Sequence, residues 1–281
     1  MTGRLLGIDA GGSGTRVVLL AGDKVTAQPP APPMNALLTE GIPALLLEII
    51  QAAAPDAAGI GLPGLRDPGI ARELGASLSR QAGCPVLATN DADTARAGAF
   101  RGGPGVIVIA GTGSGAFGWD GQRSARAGGH GFLLGDEGSA YWLGRAAVRA
   151  ALAWEDQMGG SAAIHQAVTE RVGSSLDALI REVSTHPADR ARLTVLAPVI
   201  TGLAGTDPEA RRIAERAAGH LAALAEAVQR RLGPLPVAGA GGVFGAEVIW
   251  DRFAELTGAA RPLAPPAVGA ALLAGTLLPR S

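Results

Sequence analysis

Short apolar runs bounded by glycine alternate with stretches of helical spacing over the first hundred residues. The apolar runs predict four strands, the first two joined as a hairpin, at residues 5–9, 16–20, 59–62 and 85–89. Apolar positions at helical spacing predict three helices, at residues 39–54, 68–82 and 92–100. Pro68 lies just inside the start of the second helix, where its missing N–H is tolerated. This alternation predicts an α/β fold.

The strand, glycine loop, strand pattern returns near the middle of the chain. Residues 105–110 and 116–119 predict strands flanking a loop at 111–115, as the first hairpin flanks a loop at 9–15. Helical patterns dominate residues 139–232, and the remaining predicted elements are a strand at 236–240 and helices at 245–256 and 267–277. The repeat predicts two domains, residues 1–101 and 102–281, with the last helix packing back on the first domain.

Composition narrows the class of protein. The chain has 281 residues, enough for about two domains, and its 47% hydrophobic and 17% charged residues exclude intrinsic disorder. A net charge of −1 argues against a general nucleic-acid binder. The longest charge-free run, residues 102–119, carries seven glycines and a proline, which favours β structure over a membrane helix. We see no signal peptide at the start and expect a soluble cytoplasmic protein.

Cysteine and lysine usage excludes several kinds of site. Cys84 is the single cysteine, so one chain holds no intramolecular disulfide and no all-cysteine zinc site. Lys24 is the only lysine, and no G-x-x-x-x-G-K-[ST] motif occurs, which excludes a P-loop.

Asp9 ends a predicted buried strand and precedes a loop rich in glycine, serine and threonine. Glycines let successive backbone N–H groups form an anion-binding nest. A carboxylate beside bound phosphate needs a cation, and Mg²⁺ is typically held by one or two carboxylates plus substrate phosphates. The alternative is an ordinary hairpin loop in which Asp9 makes a turn hydrogen bond.

The second loop contains Gly113-x-Gly115-x-x-Gly118, the dinucleotide fingerprint, but the wrong context follows it. The fingerprint requires a helix to follow, and here residues 116–119 predict a strand. Two such hairpins are better explained as two phosphate-binding loops facing each other across a cleft.

Asp91 closes the strand at 85–89, at the sheet edge where open α/β sheets bind ligands. It could accept a proton from an attacking hydroxyl group. The alternative is that Asp91 or Asn90 caps the following helix, with Asp93 in its first turn.

Three further features carry weaker signals. Asp136 and Glu137 lie between glycines just before a long helix, so they form either a bent functional loop or a charged helix start. Gly241 and Gly242 follow the last strand, where a flat ring could lie against the backbone. His130 has no second His or Cys at metal-ligand spacing, so no zinc site is predicted. The four tryptophans are predicted to be core residues: Trp119, Trp142, Trp154 and Trp250.

The order of these motifs resembles the sugar kinase and actin superfamily, and within it the BadF/BadG/BcrA/BcrD ATPase family, which includes N-acetylglucosamine kinases. Five segments carry the resemblance in order: Gly7-Ile8-Asp9-Ala10-Gly11-Gly12-Ser13-Gly14-Thr15, Asn90-Asp91-Ala92, residues 110–115, residues 129–139 and Gly239-Ala240-Gly241-Gly242. The resemblance implies an α/β fold of two ribonuclease-H-like, actin-like ATPase domains, with ATP and Mg²⁺ in the cleft between them.

The resemblance also implies roles for individual residues, and an ATP-dependent kinase for an amino sugar, N-acetylglucosamine or glucosamine. Asp9 would hold the metal, and Asp91 would be the catalytic base and contact the sugar. The nucleotide would bind Gly11, Gly12, Ser13, Gly14, Thr15, Thr112, Gly113, Gly241 and Gly242. The sugar would contact Asn35, Thr112, Gly129, His130 and Asp136. A homodimer is also implied.

Three positions depart from the family pattern and place the identity of the sugar in question. His130 stands where related kinases have tryptophan, Gly14 where they often have lysine or arginine, and Pro63 where serine is usual.

Two alternatives stay open. One is an ATPase that acts on a protein partner, but that type bridges an iron–sulfur cluster with two cysteines from each subunit, and only Cys84 is present. The other is a non-catalytic sugar sensor, which the presence of both Asp9 and Asp91 disfavours.

Overall fold

The computed structural model describes residues 3–11, 14–35, 41–186 and 191–279. The chain divides into two compact units. The described residues of 1–107, 118–123 and 261–281 form the first unit, and those of 108–117 and 124–260 form the second.

The first unit is built on a five-stranded sheet with the order β3-β2-β1-β4-β5. Its strands are β1 (Arg4–Gly11), β2 (Gly14–Ala21), β3 (Lys24–Ala27), β4 (Ala57–Gly61) and β5 (Val86–Thr89). β1, β2 and β3 are antiparallel neighbours, whereas β4 runs parallel to both β1 and β5. Because β1, β4 and β5 are parallel, their carboxyl ends lie at the same edge of the sheet. Asp9 lies at this edge, and so does the start of the helix that follows β5.

Four helices belong to the first unit: α1 (Ile42–Ala53), α2 (Pro68–Ala82), α3 (Asp91–Ala99) and α11 (Pro266–Ala274). Local signals set α2, since the Asp67 side chain accepts from two backbone N–H groups at its start and Gly83 ends it in the left-handed region. The core side chains of the unit lie between the sheet and α1 and α2, with Leu46, Ile50 and Leu78 fully buried.

The last helix, α11, packs directly on β1 and β4 because glycines face it. A Cβ atom at Gly7 would overlap the Ala267 carbonyl oxygen, and one at Gly59 would overlap the carbonyl oxygen of Ala270. Gly269 of α11 in turn lies against the backbone of α3. Glycine is required at these positions because the two backbones approach more closely than any side chain permits.

The second unit contains a four-stranded sheet with the order β8-β7-β6-β9. Its strands are β6 (Gly105–Ala110), β7 (Ser114–Trp119), β8 (Ser124–Gly128) and β9 (Val237–Ala240), and the chain passes from the first unit to the second within β6. Its helices are α4 (Ala140–Glu155), α5 (Ala162–Val172), α6 (Leu176–Thr185), α7 (Ala191–Thr194), α8 (Ala197–Leu203), α9 (Pro208–Leu232) and α10 (Glu247–Thr257). The long α9 packs on β8 and α10, so its apolar face is buried along most of its length.

The structure corrects three expectations from the sequence. β3 and β8 were not predicted, because β3 is exposed throughout and β8 is no more than half-buried. Gly242–Gly245 form a 3₁₀ turn, and α10 begins only at Glu247, after the start predicted at residue 245. Trp154 is 48% exposed, so the prediction that it is a core residue was wrong. It lies in the last turn of α4, beyond the last buried residue of that helix.

Candidate active site

Asp9 lies near the carboxyl end of β1, paired in register with Arg16 of β2 and Gly61 of β4. Burial, and then the negative charge of Asp91, raise the pKa of the Asp9 carboxyl to about 7, against a smaller lowering by Arg16. Among the described residues no hydrogen-bond donor contacts this carboxylate. Burial of the carboxyl group is the larger cause, and the negative charge of Asp91 adds to it by opposing the ionisation of Asp9.

Asp91 is the first residue of α3, but it does not cap that helix. The cap is Asn90, which is 8% exposed and whose side-chain oxygen accepts the Asp93 N–H at 2.9 Å. Oδ1 of Asp91 lies 3.0 Å from the N–H of Ala92, the next residue in the chain. The choice between Asn90 and Asp91 as the cap is therefore resolved in favour of Asn90.

The buried Arg96 neutralises the third acidic side chain of this region. Its guanidinium is 2% exposed, lies 2.8 Å from Asp93 in an ion pair, and stacks over the Trp119 ring at 4.8 Å. It also donates to the carbonyl oxygens of Gly102 and Gly103. Sequence reasoning missed Arg96, although its spacing of three residues from Asp93 on a helix was an available signal. Asp93 is thus paired with Arg96, whereas the negative charge of Asp91 acts on Asp9.

The loop of the first hairpin follows β1. Gly12 and Ser13, both predicted to bind nucleotide, lie outside the described residues. Gly11 and Gly14 pair across the end of the hairpin, and Gly14 has a φ of 152°, a conformation that favours glycine. Gly11 and Gly14 therefore present backbone without side chains at the described end of this hairpin.

Thr15, also predicted to line this loop, is 1% exposed and its polar groups bond within the protein. Its hydroxyl donates to the Pro32 carbonyl at 2.6 Å, and its N–H donates to the Ala31 carbonyl at 3.0 Å. These bonds tie β2 to the segment that leads to Asn35, a half-buried residue predicted to contact the sugar. A role of Thr15 and Asn35 in binding stays a prediction.

The loop of the second hairpin joins β6 to β7 and is held by the start of α4. The N–H of Ala140 donates to the Gly111 carbonyl at 2.9 Å, and the N–H of Tyr141 donates to the Thr112 carbonyl at 3.3 Å. Nothing lies within 4 Å of the position of a Cβ at Gly111, so this side of the loop is open. β7 follows this loop in place of the helix that a dinucleotide fingerprint requires.

The buried side chain of Asp136 is hydrogen-bonded to the backbone next to the same loop. It is 5% exposed, has a φ of 62°, and its Oδ1 accepts the Ser114 N–H at 3.2 Å. A Cβ at Gly113 would lie 2.7 Å from Oδ2 of Asp136, which explains why that position is glycine. The Ser114 hydroxyl donates to the Glu137 carbonyl at 2.7 Å. Ser114 was not singled out from the sequence, because only the fold brings residues 114 and 136 together.

Gly129 and His130 lie next to this cluster along the chain. The Gly129 N–H donates to the Ser114 carbonyl at 2.9 Å, and Gly129 has a φ of 69°. His130 is exposed. The structure thus brings Gly113, Gly129 and Asp136 together around the start of β7, and their roles in binding stay a prediction.

Gly241 and Gly242 follow β9 in the same unit. Gly241 has a φ of 105°, and a Cβ there would overlap the Ala110 carbonyl oxygen at the end of β6. At Gly242 nothing lies within 4 Å of a Cβ position. This backbone is therefore packed on one side and open on the other, a surface against which a planar ring could lie.

Two negative findings apply to the described residues only. No group of three or more His, Cys, Asp or Glu side chains is placed to hold a metal ion among them. None of their helices combines the length and the apolar character that crossing a membrane requires. A cation at this site would therefore depend on few carboxylates and on ligands from a bound molecule.

Both units together define an α/β protein of the actin-like ATPase fold, as predicted from the sequence. The chain belongs to the BadF/BadG/BcrA/BcrD ATPase family, whose sequence model matches residues 6–274. The resemblance stated from the motifs is thereby confirmed.

Similar proteins include one curated enzyme and two solved structures. The N-acetylmuramic acid/N-acetylglucosamine kinase of Clostridium acetobutylicum is 33% identical over 171 residues, 55% of each chain, so this chain spans about half the length of the curated relative it matches. A Chromobacterium violaceum protein, provisionally assigned as an N-acetylglucosamine kinase, is 28% identical with a TM-score of 0.71, covering 97% of this chain and 99% of that one. A Porphyromonas gingivalis protein with the same provisional assignment is 22% identical with a TM-score of 0.74, covering 94% of this chain and 96% of that one, and supports the fold.

Proposed function

We propose that this protein is an ATP-dependent kinase that phosphorylates a hydroxyl group of an amino sugar, N-acetylglucosamine or glucosamine. Membership of an ATPase family supports the use of ATP. The names given to the Clostridium acetobutylicum and Chromobacterium violaceum relatives support an N-acetylated amino sugar as the acceptor.

The observation that carries the proposal is the position of Asp91. Asn90 caps α3, so the Asp91 carboxylate is not required there, and its negative charge raises the pKa of Asp9. A carboxylate just beyond the end of a parallel strand, whose charge acts on a second carboxylate, suits a general base that accepts a proton from a sugar hydroxyl. Phosphoryl transfer needs little else from the protein than positioning and neutralisation of charge.

The nucleotide would bind the glycine-rich backbone of both hairpins. The triphosphate is assigned to Gly11, Gly12, Ser13, Gly14 and Thr15 and to Thr112 and Gly113, and the adenosine to Gly241 and Gly242. The open faces at Gly111 and Gly242 support this, because an approaching phosphate or ring meets backbone there and no side chain.

Mg²⁺ would be held by Asp9, where it would neutralise phosphate charge when bound. The residues present fit such an ion, since Asp9 and Asp91 destabilise each other's charge and a divalent cation would relieve that repulsion. The sugar is assigned to Asn35, Asp91, Thr112, Gly129, His130 and Asp136. A homodimer and a cytoplasmic location are expected on the same family grounds.

The test is release of ADP from Mg²⁺-ATP against a panel of hexoses, amino sugars and their N-acetyl forms. We expect strong stimulation by one amino sugar, with a phosphorylated product seen by mass spectrometry. ATP hydrolysis indifferent to every sugar would overturn the kinase and favour an ATPase that acts on a protein partner.

Asp91→Asn tests the base directly. We expect kcat to fall by about 10²- to 10⁴-fold with a normal fold, the typical contribution of a general base. Asp177→Asn is the matched control, because Asp177 is also an acidic residue in the first turn of a helix, α6, and is exposed. If Asp91→Asn kept the kcat of the natural protein, Asp91 would not be the base.

A further inference from the structure

A groove of about 620 Å³ in the second unit lies between α4 and the first half of α9. α4 contributes Trp142, Arg145 and Arg149, and α9 contributes Arg212, Arg216 and His220. Among the described residues that line the groove, none is assigned to the nucleotide or the sugar. The groove and the site proposed above therefore share no residue.

Its most unusual feature is its charge. Arg145 and Arg149 are four residues apart on α4, and Arg212 and Arg216 are four apart on α9, so like charges are neighbours on both helices. Such like-charged pairs destabilise a helix. Four arginines and two glutamates give the lining a formal charge of +2, in a protein whose net charge is −1.

Only one of these arginines has its charge matched by a neighbour in the described chain. Arg212 donates to both carboxylate oxygens of Glu209, with its Nε 2.9 Å from Oε2. Within the described residues, Arg145, Arg149 and Arg216 form no ion pair with a carboxylate. All four arginines are exposed, so their guanidinium groups are accessible to a ligand.

Two of the unmatched arginines are held in place by aromatic rings. Arg145 lies over the Tyr141 ring at 5.9 Å, and Arg216 lies over the Trp142 ring at 5.7 Å. Trp142 is itself fixed, being 8% exposed and in edge contact with His220 at 5.2 Å. A cation–π contact uses the face of a guanidinium, so its in-plane N–H donors stay available.

We propose that this groove binds a small anion bearing a phosphate ester or a diphosphate group. The planar fork of arginine donors matches phosphate oxygens, and three unmatched guanidinium groups suit a ligand with two or more negative charges. The volume is within the 300–1,000 Å³ typical of small-molecule sites. A second copy of the chain is disfavoured as the occupant, because a two-fold contact would place the same cationic surfaces face to face.

The experiment is calorimetric titration of the full chain with inorganic pyrophosphate at fixed ionic strength and without Mg²⁺. We compare the natural sequence with Arg149→Gln/Arg216→Gln and with the control Arg230→Gln. Arg230 is also an exposed arginine of α9, paired with Glu226 at 2.9 Å, and it does not line the groove. We expect saturable binding that the double variant weakens about tenfold or more, while Arg230→Gln binds as the natural protein does.

Three results would overturn the proposal. The first is an unchanged affinity in the double variant, which would mean that pyrophosphate binds elsewhere. The second is the absence of saturable binding at fixed ionic strength. The third is binding of a polyglutamate peptide without binding of pyrophosphate. Circular dichroism checks the fold of the double variant. Should that variant fail to fold, Arg149→Gln alone decides by the same criteria, because its exposed side chain forms no hydrogen bond or ion pair within the described chain.

Discussion

The two glycine-loop hairpins have the same pattern in the sequence but are supported in different ways. In the first, Asp9 belongs to the strand itself, is half-buried, and has a pKa raised to about 7 by burial and by Asp91. In the second, Asp136 comes from a separate loop, is buried, and accepts a hydrogen bond from Ser114. The first hairpin therefore carries a carboxylate at some cost in stability, whereas the second uses a carboxylate to fix its own backbone.

The largest loss of stability is expected for Gly7→Ala, in β1 of the first hairpin. The new methyl group would overlap the backbone of α11, which has no side chain that could move aside. We expect a loss of unfolding free energy of about 4 kcal/mol or more, as for the most severe cases of overpacking. Thermal denaturation measures it. Gly219→Ala, on α9 with nothing within 4 Å, is the control and should stabilise slightly. Equal melting temperatures for both variants would contradict the packing described.

Asp9→Asn tests the electrostatic cost in the first hairpin. Because the folded pKa is about 7 and the ordinary value is 3.8, the folded protein binds the extra proton between these values. Natural protein therefore loses stability as the pH rises from about 4 to about 7, and Asp9→Asn does not. The stabilisation by Asp9→Asn should grow by about 3 kcal/mol between about pH 5 and about pH 8.

Chemical denaturation at both pH values provides the measurement, and Asp120→Asn provides a control whose effect should be the same at both. Hydrogen bonds from the N–H groups of Arg123 and Gln122 hold the pKa of Asp120 below its usual value. Its contribution is present above the unfolded pKa and lost as the pH falls. A pH-independent difference for Asp9→Asn would refute the raised pKa.

Gly113→Ala is the equivalent test of the second hairpin. Its Cβ would lie 2.7 Å from Oδ2 of Asp136, and the carboxylate would have to move and weaken its bond to Ser114. We expect a loss of about 1–3 kcal/mol, measured by thermal unfolding. Gly111→Ala, two residues earlier in the same loop with no atom within 4 Å, should leave stability nearly unchanged. A loss of the same size at both glycines would mean that loop flexibility, and not the Asp136 contact, sets the effect.

Elements with strong local signals were predictable from the sequence. α2 begins at Pro68 behind the Asp67 cap and ends at Gly83, and β6 is a continuous apolar run, so both have the predicted bounds. β3 was not predictable because Lys24–Ala27 has only four residues and is exposed along its whole length, so no buried apolar run marks it.

The candidate site divides in the same way. Asp9, Asp91 and the glycines could be singled out as candidates because their chemistry is visible in the sequence order. The roles of Asn90 as the cap and Asp93 as the partner of Arg96 depend on the residue at which α3 begins, a detail that local patterns set only to within one or two positions. Ser114 and Asp136 meet only in the folded chain.

The close packing of α11 on β1 and β4 has a consequence for the order in which the two units are completed during synthesis. About 160 residues separate the first unit's early segment from α11, so a ribosome adding about 5–20 residues per second emits this helix roughly 8–30 s later. During that interval the sheet face around Gly7 and Gly59 lacks its cover. The amino-terminal unit is thus finished last, and a nascent chain that stops before residue 266 leaves it incomplete.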